Sequence, residues 1–267
     1  MKKAAILPQR SFPAGGQLAE MSWTQVAAVG RDTPIVIPLG AFEQHGAHLP
    51  LATDALLVGE IARRAAESLA GRVLFAPVLW LGNSHHHIDF PGTLSASPRT
   101  YLDALNDLAD NLIAHGFRRV VFLNGHGGNE VPGKQALFEA RQRHRRNRRL
   151  LLLLATYWNL ADPGARSRLG LKQEHMRHAC EWETSMMLRL APRLVRNHRR
   201  VAPADPAAAF EPAFRAWVMP DRSARGHLGF PGEGSPEKGE ALFRIFADGV
   251  VRLLERVIAW NGRSWRE

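Results

Sequence analysis

Apolar residues along the chain alternate between two kinds of run. Short continuous stretches at Pro34 to Leu39, Val73 to Leu79, Arg118 to Leu123 and Leu150 to Thr156 have the length and β-branched content of buried strands. Between them the apolar positions recur at helical spacing. Leu56, Leu57, Ile61, Ala65 and Leu69 mark a helix that opens near Asp54, with Thr53 or Asp54 as its cap, and stops at Gly71. Further helices are predicted over Ser97 to His115, Pro132 to Arg143 and Ala179 to Leu190, with a short one over Ser22 to Val29 and a closing amphipathic one over Pro236 to Trp260. Strands that alternate with helices imply a mostly parallel central sheet covered on both faces, an α/β protein of three layers. Residues 201 to 236, rich in Pro, Ala and Gly, read as one long irregular excursion. The chain, residues 1 to 267, is read as a single domain.

Composition narrows the chemistry. Cys180 is the only cysteine, so an intrachain disulfide and a cysteine-rich zinc module are both excluded, and any metal must be held by His and carboxylates. Cys180 itself has no neighbouring basic group that would clearly lower its pKa and reads as a small packed residue. The apolar patch after Lys2 and Lys3 is broken by Gln9 and Arg10 before it reaches signal-peptide length, which points to a cytoplasmic protein. No run approaches the roughly 20 apolar residues of a membrane span. The net charge is +10, but part of it is concentrated in Arg141 to Arg149, between a helix and a strand. That run reads as a solvated helix end whose cations suit the helix dipole, and no aromatics interleave it as a base-stacking surface requires, which argues against a nucleic-acid partner.

In parallel sheets ligands bind beyond the carboxyl ends of the strands, where the loops converge. After the first strand come Glu43 and His45, two apart on extended backbone and so on one side. Asp54 follows at a helix start, where its negative charge is tolerated and its two oxygens can bridge two cations. After the Arg118 to Leu123 strand, Asn124-Gly-His-Gly-Gly-Asn129 presents His126 at the same sheet edge. Each residue alone has an ordinary reading, as a helix cap or a surface histidine. Together, two carboxylates and two histidines at strand ends read as a site for zinc, manganese or iron. A third cluster opens a later helix, where His178 and Glu181 share a face and Glu183 follows. It suits either metal ligands or an oriented acid/base group, or simply acidic residues at a helix start. His85, His86 and His87 cannot all face one ion on regular backbone, so one or two of them are expected to line a substrate pocket.

The segments Pro38 to Asp54 (PLGAFEQHGAHLPLATD), Phe90 to Ser95 (FPGTLS), Asn124 to Asn129, Glu183 to Ser185 and Ser235 to Gly239 (SPEKG) resemble the creatininase (creatinine amidohydrolase) family from about Trp23 to the last helix. The resemblance implies a three-layer α/β/α fold, a homohexamer and two divalent metal ions per chain (Zn, Mn or Fe). It further implies that Glu43 binds one ion with His126, that His45 binds the other, that Asp54 bridges them and that His178 transfers the proton. Creatininase proper has a glutamate ligand two residues after its equivalent of His126, where this chain has Gly128; Glu181 is the expected substitute, with Glu183 the alternative. His86, Trp158 and Glu183 are expected to contact substrate. The implied activity is hydrolysis of a non-protein C–N bond in a small cyclic amide or formamide such as creatinine. A peptidase trimming a short precursor is the alternative, and a basic binding protein with a vestigial site is the reading of another class.

Overall fold

A computed structural model describes residues 16–205, 210 and 212–264. Its core is a four-stranded sheet of β1 (Ile35–Leu39), β2 (Leu74–Phe75), β3 (Arg119–Asn124) and β4 (Leu151–Thr156), in the order β2-β1-β3-β4 with every pair parallel. The helices are α1 (Trp23–Ala27), α2 (Thr53–Leu69), α3 (Pro98–Ala114), α4 (Glu130–Arg143), α5 (Pro163–Ser167), α6 (Glu181–Leu190), α7 (Met219–Arg222) and α8 (Pro236–Ala259).

Strand alternation sorts the two faces. Val36, Val121, Leu123 and Leu151 point to one side and pack with Ile61 of α2, Met186 of α6 and Phe243 and Phe246 of α8. Ile37, Leu39, Val120 and Phe122 point to the other and pack with Tyr101 and Leu105 of α3 and Ala136 of α4. This period of two, buried on both faces, produces the three layers. Removing a ring such as that of Phe246, which is fully buried, is expected to cost about 3–5 kcal/mol.

The predicted strand over Val73 to Leu79 forms regularly only at Leu74 and Phe75. Leu74 N and Ala76 N donate to Pro34 O and Val36 O of the first strand, and the register then slips by one residue, so that Leu79 N rather than Val78 N donates to Pro38 O at 2.9 Å; Pro77, whose nitrogen faces the open edge, costs no bond to β1. The α6 helix starts at Glu181 rather than Ala179, because Ala179 takes a φ of +50° just before it. The carboxyl ends of the central strands are level: Leu39 pairs with Asn124, and Asn124 with Thr156. The loops that leave them therefore meet at one edge.

Ser235 to Gly239 docks α8 on α6. Ser235 Oγ caps the helix by accepting from Lys238 N, Ser235 N donates to Ser185 Oγ at 3.1 Å, and Lys238 Nζ donates to Glu181 Oε1 at 2.6 Å. Gly239 lets the helices touch: a Cβ there would lie 2.1 Å from Ser185 O. Part of the Arg141 to Arg149 run is tied to other segments, Arg143 and His144 to Asp110 of α3 and Arg149 to Asp32. No helix among the described residues is long and apolar enough to cross a membrane.

Candidate metal centre

The level strand ends bring four elements to one buried point. The loop after β1 supplies Glu43 and His45, the first turn of α2 supplies Asp54, the loop after β3 supplies His126, and the first turn of α6 supplies Glu183. All are buried. Asp54 makes no cap: α2 has no side-chain capping bond, and the Asp54 carboxylate turns to the histidines instead. His45 Nε2 lies 3.1 Å from Asp54 Oδ1 and 3.8 Å from Glu183 Oε1. His126 Nδ1 lies 2.9 Å from Asp54 Oδ2, and its Nε2 lies 3.4 Å from Glu43 Oε2.

Hydrogen bonds from the far side of each ring fix its orientation. The carbonyl oxygen of Glu43 accepts from His45 Nδ1–H at 3.1 Å, which leaves Nε2 facing Asp54 and Glu183. Asn83 O accepts from His126 Nε2–H at 3.0 Å, which leaves Nδ1 facing Asp54. Behind His126, Asn124 Nδ2 donates to His126 O and Asn124 Oδ1 accepts from His126 N, while Asn129 Nδ2 donates to Gly40 O. Both Asn residues of the Asn124 to Asn129 motif thus hold the loop and leave the histidine to face the centre.

His178 closes one side. Its Nε2 lies 2.8 Å from Gln44 O and 3.0 Å from the Gln44 side-chain nitrogen; assigned to the closer carbonyl, Nε2–H leaves the Nδ1 lone pair 3.4 Å from Glu43 Oε1. Gln44 also reaches His87, with its amide nitrogen 2.7 Å from His87 Nδ1. The His178 ring packs between those of His45 and His87, with centroids 4.4 and 4.2 Å away.

Charge is distributed unevenly. Burial pushes the Glu43 carboxyl up to about 7 against the pull of His126. Burial alone would lower His126, but Glu43 and Asp54 outweigh it and hold the ring at about 9. Asp54, despite its burial, is held below the usual carboxylate range by His45 and His126. His178 is driven well below an ordinary histidine by burial and by His45 and His87, so it is a neutral base at physiological pH.

The donor set fits cations. Glu43 Oε1 and Oε2 are buried and accept no hydrogen bond, and Asp54 Oδ2 faces His126 without the alignment of one. Ligand atoms of Glu43, His45 and Asp54 lie within 4.8 Å of one another, as do those of His45, His178 and Glu183 and those of Glu43, His86 and His126. Gly128 is required at its place: a Cβ there would lie 2.2 Å from Asn83 O and 2.5 Å from His126 Nε2, so a glutamate cannot enter from this position.

Glu181, expected among the ligands, lies elsewhere. Its Oε1 takes the Lys238 ammonium and its Oε2 accepts from Lys172 N at 2.7 Å, so Glu183 stands beside His45 in its place. Cys180 is buried and its thiol is pushed up to about 12 by burial and Glu183, in keeping with a packed residue. Of the three consecutive histidines, His86 and His87 line the cavity above the centre and His85 is exposed.

That cavity, about 460 Å³, is also lined by Trp158, Glu183 and His178. Its outer wall comes from Arg177 and from residues 214 to 222, with Phe214, Trp217 and Arg222, none of which the sequence pattern singled out. Four aromatic residues, Phe210, Phe214, Trp217 and Phe230, inside an otherwise Pro-, Ala- and Gly-rich stretch were the available signal.

The family model described as Creatininase, creatinine amidohydrolase, matches residues 19–254. The chain is 32% identical over 251 residues to a creatinine amidohydrolase of Pseudomonas putida, covering 88% of this chain and 94% of that protein. It is 30% identical over 260 residues to a mycofactocin precursor peptide peptidase of Mycobacterium tuberculosis (strain CDC 1551 / Oshkosh), covering 94% of each. A crystal structure of creatinine amidohydrolase (creatininase) superposes with a TM-score of 0.80 at 29% identity, covering 94% of this chain and 100% of that one. A mutant creatininase of Zn-Zn type does so with a TM-score of 0.77 at 30% identity, covering 90% and 97%.

Proposed function

The chain belongs to the creatininase family of amidohydrolases, and from that premise we propose that it cleaves a non-protein C–N bond in a small cyclic amide or formamide at a centre of two divalent metal ions. The observation that carries this reading is the buried, donorless carboxylate of Glu43 facing Asp54 and His126. Glu43, Asp54 and His126 would hold one ion and His45, Asp54 and Glu183 the other, with Asp54 between them. Zinc and manganese suit such a mixture of nitrogen and oxygen donors. When bound, the pair would acidify a water and polarise the scissile carbonyl.

The chain's own residues do the rest. Gln44 O fixes the tautomer of His178, so the neutral Nδ1 faces the centre. That nitrogen takes the proton from the attacking water and returns it to the leaving nitrogen as the C–N bond breaks, so the nitrogen departs as an amine rather than an amide anion. His86, Trp158 and Trp217 wall the cavity and limit water around the substrate.

A short peptide is the second reading, supported by the relative that trims a peptide precursor and by the exposed Val131 and Phe214 at the cavity. The test is metal content per chain by elemental analysis, for the wild type and Asp54→Ala purified without chelators, followed by assays on creatinine, formamides and short peptides. About two ions in the wild type and nearly none in the variant is the expected outcome. Little metal in either, even after reconstitution with zinc, manganese or iron, would overturn the reading.

A further inference from the structure

We propose that His87 is a second catalytic imidazole of this centre, a neutral hydrogen-bond donor to the oxygen that gains charge when the scissile carbonyl is attacked. The inference rests on the hydrolase reading above and deepens it.

The assignment starts at Gln44. Its Oε1 stands 2.9 Å from Gly46 N, a backbone N–H that also reaches Gly226 O at 3.1 Å and can only donate. The atom facing Gly46 is therefore the amide oxygen, and the NH2 group is the one 2.7 Å from His87 Nδ1. Gly226 makes room for the amide in this position: a Cβ there would lie 2.2 Å from Gln44 Oε1. A hydrogen on His87 Nδ1, in the other tautomer or in the imidazolium, would meet the NH2 group head-on. The ring is thus neutral and carries its hydrogen on Nε2. Gln44 mounts two imidazoles in this way, its side chain holding the Nδ1 edge of His87 and its carbonyl the Nε2–H edge of His178. Both rings are Nε2–H tautomers, but they stand opposite ways round. His178 turns a lone pair toward Glu43, and His87 turns an N–H.

That N–H remains available. His87 is buried, packs against the rings of His86 and His178 with centroids 4.3 and 4.2 Å away, and lines the cavity. Its Nε2 lies 3.4 Å from Glu43 Oε1, longer than an ordinary N–H···O bond of about 2.7–3.2 Å. By distance alone Glu43, His87 and His178 could hold a further ion, since their ligand atoms lie within 4.8 Å of one another. The Gln44 amide decides against it, because a ligating Nε2 must be bare and the hydrogen would then sit on Nδ1, against the NH2 group. A donor fixed in advance at a water-poor site is the arrangement that stabilises a developing oxyanion. As the water oxygen bonds to the carbonyl carbon, His178 takes a proton from the water and the carbonyl oxygen gains the negative charge. His87 shares its hydrogen with that oxygen without giving it up. The carbonyl then re-forms, the C–N bond breaks, and the proton on His178 passes to the leaving nitrogen.

The test has a structural and a functional arm. Protein labelled with 15N in its histidines is studied by long-range nitrogen–proton NMR, zinc-free and zinc-loaded, with the His87 signals identified by their loss in His87→Gln. His87 is expected to show a bare Nδ1 and a protonated Nε2 in both states. Gln44→Glu, whose carboxylate accepts where the amide donates, is expected to move the hydrogen to Nδ1. Methylphosphonate, a tetrahedral oxyanion that the enzyme cannot hydrolyse, is titrated calorimetrically into the zinc-loaded protein. The wild type is expected to bind it at least tenfold more tightly than His87→Ala, at unchanged zinc content and melting profile. His87→Gln, which can place an amide N–H near the Nε2 position, should recover most of the loss. On whichever of creatinine, formamides and short peptides the wild type cleaves, kcat of His87→Ala should fall about 10²–10³-fold with KM little changed. A protonated Nδ1 in the wild type, loss of zinc in His87→Ala, equal binding of methylphosphonate by the two proteins, or no binding by either at millimolar concentration would overturn the proposal. A wild type that takes up no zinc and cleaves none of these substrates defeats the hydrolase reading and this inference with it, whereas hydrolysis undiminished in His87→Ala defeats the inference alone.

Discussion

The floor and the outer wall of the cavity are built in different ways. The floor hangs from the ends of β1 and β3 and from the first turns of α2 and α6, and every ring in it is held by a backbone carbonyl or a neighbouring side chain. The wall at residues 214 to 222 carries only the four-residue helix α7 and reaches the floor through ring contacts such as that of Trp217 with His86. Rigid elements suit the floor, which must hold atoms to fractions of an ångström for chemistry. An irregular segment suits the wall, which decides what enters and can vary without disturbing the reaction below it.

Substitutions can break that comparison, and beyond the loss expected at Asp54 the largest effect belongs to the floor. His178→Ala is expected to keep its metal and lower kcat by about 10²–10⁴-fold, with KM little changed, in steady-state assays of the loaded enzyme. Full activity there would remove the proton-transfer role. A wall substitution should divide differently: Trp217→Ala is expected to raise KM about tenfold with metal content intact, from the loss of one aromatic contact. If it instead strips the metal, wall and floor are one unit and the comparison fails.

The smallest effect concerns the join between the two. His48 Nε2 reaches Thr184 Oγ1 at 3.1 Å, and its ring meets that of His227 edge-on at 6.1 Å. Burial, with help from His227 and His45, holds His48 at about 4, below its ordinary 6.5. The unfolded chain therefore takes up the proton first as pH falls. The stability this histidine contributes is whole above pH 6.5 and is lost toward pH 4, by about 2 kcal/mol at pH 5. Urea unfolding of chelator-treated protein at pH 7 and pH 5 should show that loss in the wild type and a smaller one in His48→Gln. Equal losses in both would place the acid sensitivity elsewhere.

The same division explains what could be read from the sequence. The continuous apolar runs within Ile35 to Leu39 and Arg119 to Asn124 are local, so the sheet, its two covered faces and the residues at its carboxyl edge were legible. The register slip between Ala76 and Leu79 was not legible, because it depends on how this segment lies against β1. Choosing between Glu181 and Glu183 was out of reach for a different reason. Two residues apart on a helix, they point to nearly opposite sides, and which side meets the centre is set by where α6 packs. Trp217, Arg177 and Arg222 carry no periodic signal, because a wall built from irregular chain has no period.

Glu181 and Lys238 are separated by 57 residues, yet their contact decides which glutamate is free to face the histidines. The two glutamates, two residues apart at the start of α6, are sorted by a cation that the last helix brings: with Lys238 on Glu181, the carboxylate of Glu181 is neutralised away from the histidines and that of Glu183 is the one left beside His45.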